Sequence, residues 1–98
     1  MRYPAIAKEQ IPFCTLCKQE VLESDPDRKR RKDQLQKAVQ HNMLFYTKAR
    51  IVFDTIEETM EVNANIWEVT DNNVILKGGI NIPVYCIREV VLESESSS

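Results

Sequence analysis

The spacing of apolar residues changes once along this 98-residue chain, and the change separates a helical part from a stranded part. In the first part, five residues follow the i, i+3, i+4, i+7, i+8 spacing that places side chains on one face of a helix: Leu35, Ala38, Val39, Asn42 and Met43. We expect the helix to begin with Asp25 as N-cap and Pro26 at the first helical position, where a missing N–H costs no hydrogen bond. It should end near Asn42 or Met43.

Beyond Tyr46, apolar and polar residues alternate with the period of a β-strand. The alternation predicts about five short strands, with turns at 55–58, 71–72 and 78–79. Pro83 has no N–H for a ladder, so we expect it at a sheet edge or a bulge. The pattern therefore indicates one helix followed by short antiparallel strands.

The alternation slips by one residue at Ile66 and Trp67. A slip inside a strand indicates a bulge or a sharp bend, so we expect the chain to leave one sheet and enter another at this point. Trp67, the single tryptophan, is predicted to be a core side chain at that corner; the alternative is an exposed residue on which a base or a peptide could stack.

Closing so short a set of strands on itself would remove the exposed edges. The expected fold is therefore mainly β with an N-terminal helix (α+β), arranged as a small five-stranded antiparallel barrel. A helix followed by bent strands over about residues 26–93 resembles the Sm-like and SH3-like small β-barrels. The stretches 66–79 and 82–90 also look like a group of short uncharacterised bacterial proteins of the kind found in Bacteroidetes.

The Sm-like resemblance implies RNA binding and ring assembly. Asp71 and Asn73 match the first RNA-binding loop of that family by residue type. The turn at 85–88, before the last strand, lacks the glycine of the second loop. RNA binding is thus one function that the resemblance suggests.

The length allows one domain. We divide it into a partly irregular N-terminal segment at 1–24, the helix and barrel at 25–93, and a disordered polar tail at 94–98. No run of ~18 apolar residues and no signal-peptide pattern is present, so we expect a cytoplasmic protein with no membrane partner. An odd cysteine count fits reduced thiols better than a secreted disulfide scaffold.

The net charge of −2 is unevenly distributed. Residues 1–43 hold nine Lys and Arg against six Asp and Glu, whereas 44–93 hold four against eight. Five consecutive cations are candidate phosphate contacts: Arg28, Lys29, Arg30, Arg31 and Lys32. Because 20–33 contains equal numbers of acids and cations, the alternative is a solvated helix face with i, i+4 charge pairs.

Cys14-x-x-Cys17 is the sharpest local motif and a weak candidate for metal binding. A structural zinc needs four ligands, which would require Cys86 and His41 to converge on the pair, or a second subunit to contribute its own pair. The alternative is two small apolar side chains in a packed segment. We expect neither a metal nor another cofactor.

No constellation of titratable residues indicates catalysis or a small-molecule substrate. We therefore expect a non-enzymatic protein-interaction or assembly module whose partner is a second copy or another protein. The segment expected to reach that partner carries four apolar residues, Phe13, Leu16, Val21 and Leu22. The alternative function is an Sm-like RNA-binding domain that uses the cations at 28–32.

Overall fold

The computed structural model describes residues 3–92. The N-terminal segment contains a 3₁₀-helix at Lys8–Phe13, and a second 3₁₀-helix lies at Val84–Cys86. Between and after them lie one α-helix and six strands: α1 (Asp25–Phe45), β1 (Ala49–Asp54), β2 (Thr59–Ala64), β3 (Ile66–Val69), β4 (Asn73–Leu76), β5 (Asn81–Pro83) and β6 (Ile87–Leu92). The tail predicted at 94–98 lies outside the described residues.

The strands form two antiparallel three-stranded sheets, ordered β2-β1-β6 and β3-β4-β5. The α+β class is confirmed, but the prediction of a closed five-stranded barrel is wrong. A barrel needs a continuous bent strand shared by both sheets, and here the strand stops at Asn65, between β2 and β3. The 3₁₀-helix Val84–Cys86 makes a second break, between β5 and β6, so the two sheets stay separate.

The predicted change of sheet near Ile66 is confirmed, because β2 belongs to the first sheet and β3 to the second. The register of β3 against β4 shifts between Ile66 and Glu68, which leaves Trp67 without a partner residue on β4. Trp67 is the bulged residue and is 53% exposed. The prediction that it belongs to the core is therefore wrong: the core position at this corner is filled by Ile66.

The predicted turns at 55–58, 71–72 and 78–79 are confirmed as connections between consecutive strands. Gly78 and Gly79 both have positive φ, at 94° and 83°, which explains why the last of these turns uses glycine. Pro83 ends β5, the edge strand of its sheet, as its missing N–H requires.

The start and the end of α1 both differ from the sequence-based expectation. Ser24, not Asp25, is the N-cap, and its hydroxyl accepts a hydrogen bond from the Asp27 N–H at 3.2 Å. The helix continues to Phe45 and ends where Tyr46 adopts the left-handed conformation, with φ 53° and ψ 45°. The last turn thus extends past the residues that face the sheets.

One stripe of α1 packs against β3 and β6, and so against both sheets. Its buried members are Arg31, Leu35, Ala38 and Asn42. Met43, predicted to continue the stripe, is instead 76% exposed. The stripe ends at Asn42, whose Oδ1 accepts a hydrogen bond from Asn65 Nδ2 at 2.8 Å.

Asn65 joins the helix to the break between the sheets. Its Nδ2 also donates to the carbonyl of Tyr46 at 3.3 Å, and its own carbonyl accepts from the Lys77 N–H at 3.0 Å. Asn42 and Asn65 are both buried, so the bond between them satisfies side-chain polar groups that are shielded from water. We call this set of hydrogen bonds the Asn65 clamp.

Replacing Asn65 with alanine is expected to lower the free energy of unfolding by about 1–3 kcal/mol, because the buried Asn42 Oδ1 and the part-buried Tyr46 carbonyl lose their donor. Urea unfolding followed by circular dichroism measures the change. Asn63 is exposed in β2, so Asn63→Ala is a matched control whose stability should stay within about 0.5 kcal/mol of the parent protein. Equal midpoints for the two variants would contradict the role of the clamp.

Candidate interaction surface

The N-terminal segment is largely docked on the rest of the protein. Ala5 forms a parallel bridge with Glu61 of β2, and Leu16 forms an antiparallel bridge with Thr55. Ile11 is fully buried, and Leu16 packs against the core. Of the four residues expected to reach a partner, Val21 and Leu22 are half-buried and only Phe13, at 89%, is widely exposed.

The largest run of exposed apolar side chains lies instead at the end of α1. We define the helix-end patch as four consecutive residues, 57 to 76% exposed: Met43, Leu44, Phe45 and Tyr46. Sequence reasoning missed this surface because Met43 was assigned to the buried stripe. The available signal was that four apolar residues in succession fit neither a helix period nor a strand period.

The helix-end patch is held in place although its side chains are not buried. The Tyr46 N–H donates to the Asn42 carbonyl at 2.9 Å, and the Asn65 clamp holds the Tyr46 carbonyl. Lys77 Nζ contacts the Tyr46 hydroxyl and lies 4.9 Å from the centre of its ring. Because this backbone is already ordered, binding of a ligand here would cause little further loss of backbone conformational entropy.

A second exposed apolar surface lies at the turn between β1 and β2. We define the hairpin patch as Phe13 and Ile56, which is 62% exposed, together with Glu57 and Glu58. The Ile56 N–H donates to the Thr15 carbonyl at 2.9 Å, which brings the N-terminal segment against the turn. Phe13, Glu57 and Glu58 also line one cleft of about 200 Å³.

The two patches lie at opposite ends of β1. The helix-end patch comes just before the strand begins at Ala49, and the hairpin patch follows its last residue, Asp54. Six residues of antiparallel strand span about 17 Å. Residues of one patch are therefore too far from those of the other to cover them within the same molecule.

Most of the cations at 28–32 form ion pairs or hydrogen bonds with other residues of the same chain. Arg28 bonds to the Leu22 and Glu23 carbonyls and pairs with Asp25, while Arg30 pairs with Asp27 at 2.6 Å. Charge pairs on this helix face are one alternative raised by the sequence, but the pairs are spaced i, i+3 and not i, i+4 as expected.

Arg31 is a structural residue rather than a surface cation. It is 5% exposed, both of its terminal nitrogens bind the Glu20 carboxylate at 2.6 and 2.7 Å, and Nη1 also donates to the Ile87 carbonyl at 2.9 Å. Only Lys29 and Lys32 remain as exposed cations of the run whose side chains have no ion-pair or hydrogen-bond partner among residues 3–92. Lys32 borders a cleft of about 280 Å³ that also contains Asp71. Phosphate binding by this run stays a prediction.

The Arg31–Glu20 pair ties the N-terminal segment to α1 and is sensitive to acid. The hydrogen bonds from Arg31 hold the pKa of Glu20 below its usual 4.5, against the opposing effect of burial. A carboxyl group with a lowered pKa stabilises the fold above its unfolded pKa, and the contribution disappears as the pH falls through the folded value. We therefore expect this contact to be lost below about pH 4.5.

The cysteines do not pair as the Cys14-x-x-Cys17 spacing suggests. Cys17 Sγ lies 3.3 Å from Cys86 Sγ, whereas Cys14 Sγ contacts the Gln10 carbonyl at 3.6 Å. His41 lies elsewhere, with its ring 5.8 Å from that of Phe45. Among residues 3–92, no three His, Cys, Asp or Glu side chains are placed to hold a metal ion together.

No protein-family model matches the chain, and comparison with curated proteins and with solved structures also found no match. Within the described part of the chain, no helix combines the length and the apolar character needed to cross a membrane.

Replacing Glu20 with glutamine is expected to lower the free energy of unfolding by about 1–3 kcal/mol at pH 7, because Arg31 loses its charged partner. The difference in free energy of unfolding between the variant and the parent protein should shrink as the pH falls below about 4.5, because the parent then begins to protonate Glu20. Urea unfolding across this range measures it. Glu23→Gln is the control, since only the main chain of Glu23 bonds to Arg28. If the loss of stability in Glu20→Gln stayed constant with pH, the assigned role of the Arg31–Glu20 pair would be contradicted.

Proposed function

We propose that this protein is a non-enzymatic assembly module that joins copies of itself head to tail. In this arrangement the helix-end patch of one copy docks on the hairpin patch of the next. The observation that carries the proposal is the exposure of four consecutive apolar side chains on a backbone that the Asn65 clamp holds in place.

Exposed apolar clusters of this kind are typical of interaction sites. Met43, Leu44 and Phe45 are each at least 70% exposed at the end of α1, so they offer more apolar contact than an isolated surface residue. Aromatic and methionine side chains are also the residue types enriched at the centres of protein interfaces. The hairpin patch supplies matching apolar groups through Phe13 and Ile56.

Charge favours a second copy as the occupant. No Asp or Glu occurs between residues 34 and 53, and Lys48 and Lys77 lie beside the helix-end patch. The hairpin patch has the opposite sign, because Glu57 and Glu58 are exposed next to Ile56. Each patch therefore offers the apolar and charged groups that the other needs.

The position of the patches determines the kind of assembly. Because they lie at opposite ends of β1, a contact between them is heterologous, and each copy keeps one free patch of each kind. Such contacts close into a ring if the rotation between neighbours permits and otherwise continue as a filament. A self-complementary dimer through the helix-end patch alone would instead stop at two copies.

We expect light scattering during size-exclusion chromatography to show a mass that rises above the monomer with protein concentration. Leu44→Ser with Phe45→Ser should abolish this rise, and so should Phe13→Ser with Ile56→Ser, because each pair removes the apolar groups of one patch. Tyr85→Ser, an exposed aromatic outside both patches, is the control and should assemble like the parent protein. Circular dichroism confirms that each variant is folded.

Mixing the two double variants distinguishes a head-to-tail contact from a self-complementary dimer. Each variant keeps one intact patch, so the mixture should form a dimer and nothing larger. An assembly lost only with the helix-end variant would indicate a self-complementary dimer. A parent protein that stays monomeric at about 1 mM would overturn the proposal, and fluorescent RNA bound by that monomer at low salt and released by ~200 mM would favour the nucleic-acid alternative.

A further inference from the structure

The strongest chemical feature outside the two patches is the contact between the Cys17 and Cys86 thiols. We propose that these two residues are a modification site, at which a small disulfide such as oxidised glutathione converts them into an intramolecular disulfide bond. The inference does not depend on the assembly proposed above, since it concerns residues outside both patches.

The two sulfur atoms are held close by main-chain hydrogen bonds on both sides. The Cys17 N–H donates to the Asp54 carbonyl at 3.2 Å, and the Val21 N–H donates to the Tyr85 carbonyl at 3.0 Å. The first bond fixes Cys17 against the end of β1, and the second fixes the segment that follows it against the 3₁₀-helix that carries Cys86. A disulfide bond has an S–S length of about 2.05 Å, so atoms that are 3.3 Å apart need only a small side-chain adjustment.

The two thiols differ in a way that gives each a role. Cys17 is half-buried and is therefore the more exposed residue of the two. Cys86 is fully buried, and its Sγ donates to the Cys17 carbonyl at 2.9 Å. Burial, together with its hydrogen bond to Cys17, raises the pKa of the Cys86 thiol to about 12. Cys17 is therefore the attacking thiol and Cys86 the resolving one.

The reaction is a two-step thiol–disulfide exchange. The Cys17 thiolate attacks one sulfur of oxidised glutathione, which breaks its S–S bond, releases one glutathione thiolate and leaves a mixed disulfide on Cys17. Cys86 sulfur then attacks Cys17 sulfur, releases the second glutathione, and passes its proton to that departing thiolate. Two protein thiols are oxidised by two electrons, and one glutathione disulfide is reduced to two thiols.

The cross-link would close a loop between residues that are 69 positions apart. It would tie the N-terminal segment covalently to the end of the second sheet, where the hydrogen bond from Val21 to Tyr85 now holds it. Because a disulfide across a long loop restricts the unfolded chain, the oxidised protein should be more stable than the reduced one.

The test uses the full chain in buffers with increasing ratios of oxidised to reduced glutathione. Non-reducing peptide mapping should find a Cys17–Cys86 link, and the intact mass should fall by two hydrogen atoms. Thermal unfolding should shift upward by about 10 °C or more in the oxidised protein. Reduction with dithiothreitol should reverse both changes.

Three variants separate this pair from the Cys14-x-x-Cys17 motif. Cys14→Ser is the matched control and should keep the link and the thermal shift. Cys17→Ser, at the half-exposed position, should lose both, and so should Cys86→Ala if it folds. A Cys14–Cys17 link, or glutathione adducts without any internal link, would overturn the proposal without bearing on the assembly.

Discussion

The architecture depends on the way the chain passes from one sheet to the other at Asn65. Its side chain bonds to Asn42 and to the Tyr46 carbonyl, while its own carbonyl accepts from Lys77. These bonds interrupt the extended strand that would otherwise run from β2 into β3. Two open sheets therefore form instead of a barrel. The same bonds attach the end of α1 to the gap, which lets one helix pack against β3 and β6 together.

The exposed surfaces follow from this arrangement. Because Asn42 ends the buried stripe while α1 continues to Phe45, the last helical turn has no sheet beneath it and its apolar side chains face solvent. The turn after β1 lies at the far end of the same strand, where Ile56 meets the N-terminal segment. A single strand thus separates a surface bordered by lysines from one bordered by glutamates, and this separation is the basis of the head-to-tail contact that we propose.

Local pattern predicted much of the fold, because turns, periodicity and the change of sheet at Ile66 depend on nearby residues. The closure of the sheets was not predictable in this way, since it depends on side-chain bonds between residues 42 and 65, far apart in sequence. Trp67 shows the same limit: a slip in alternation locates a bulge but does not say which residue it turns outward. In the sequence Arg31 is one cation among five, and only the fold shows that Glu20 reaches it.

The N-terminal segment links these features. It is attached through the Arg31–Glu20 pair, through the bridge between Leu16 and Thr55, and through the contact of Cys17 with Cys86. Phe13, the apolar group that it adds to the hairpin patch, lies only four residues before Cys17. Anything that loosens the segment therefore also alters the hairpin patch, and a covalent bond at Cys17 would hold Phe13 near Ile56 even where acid removes the charge of Glu20.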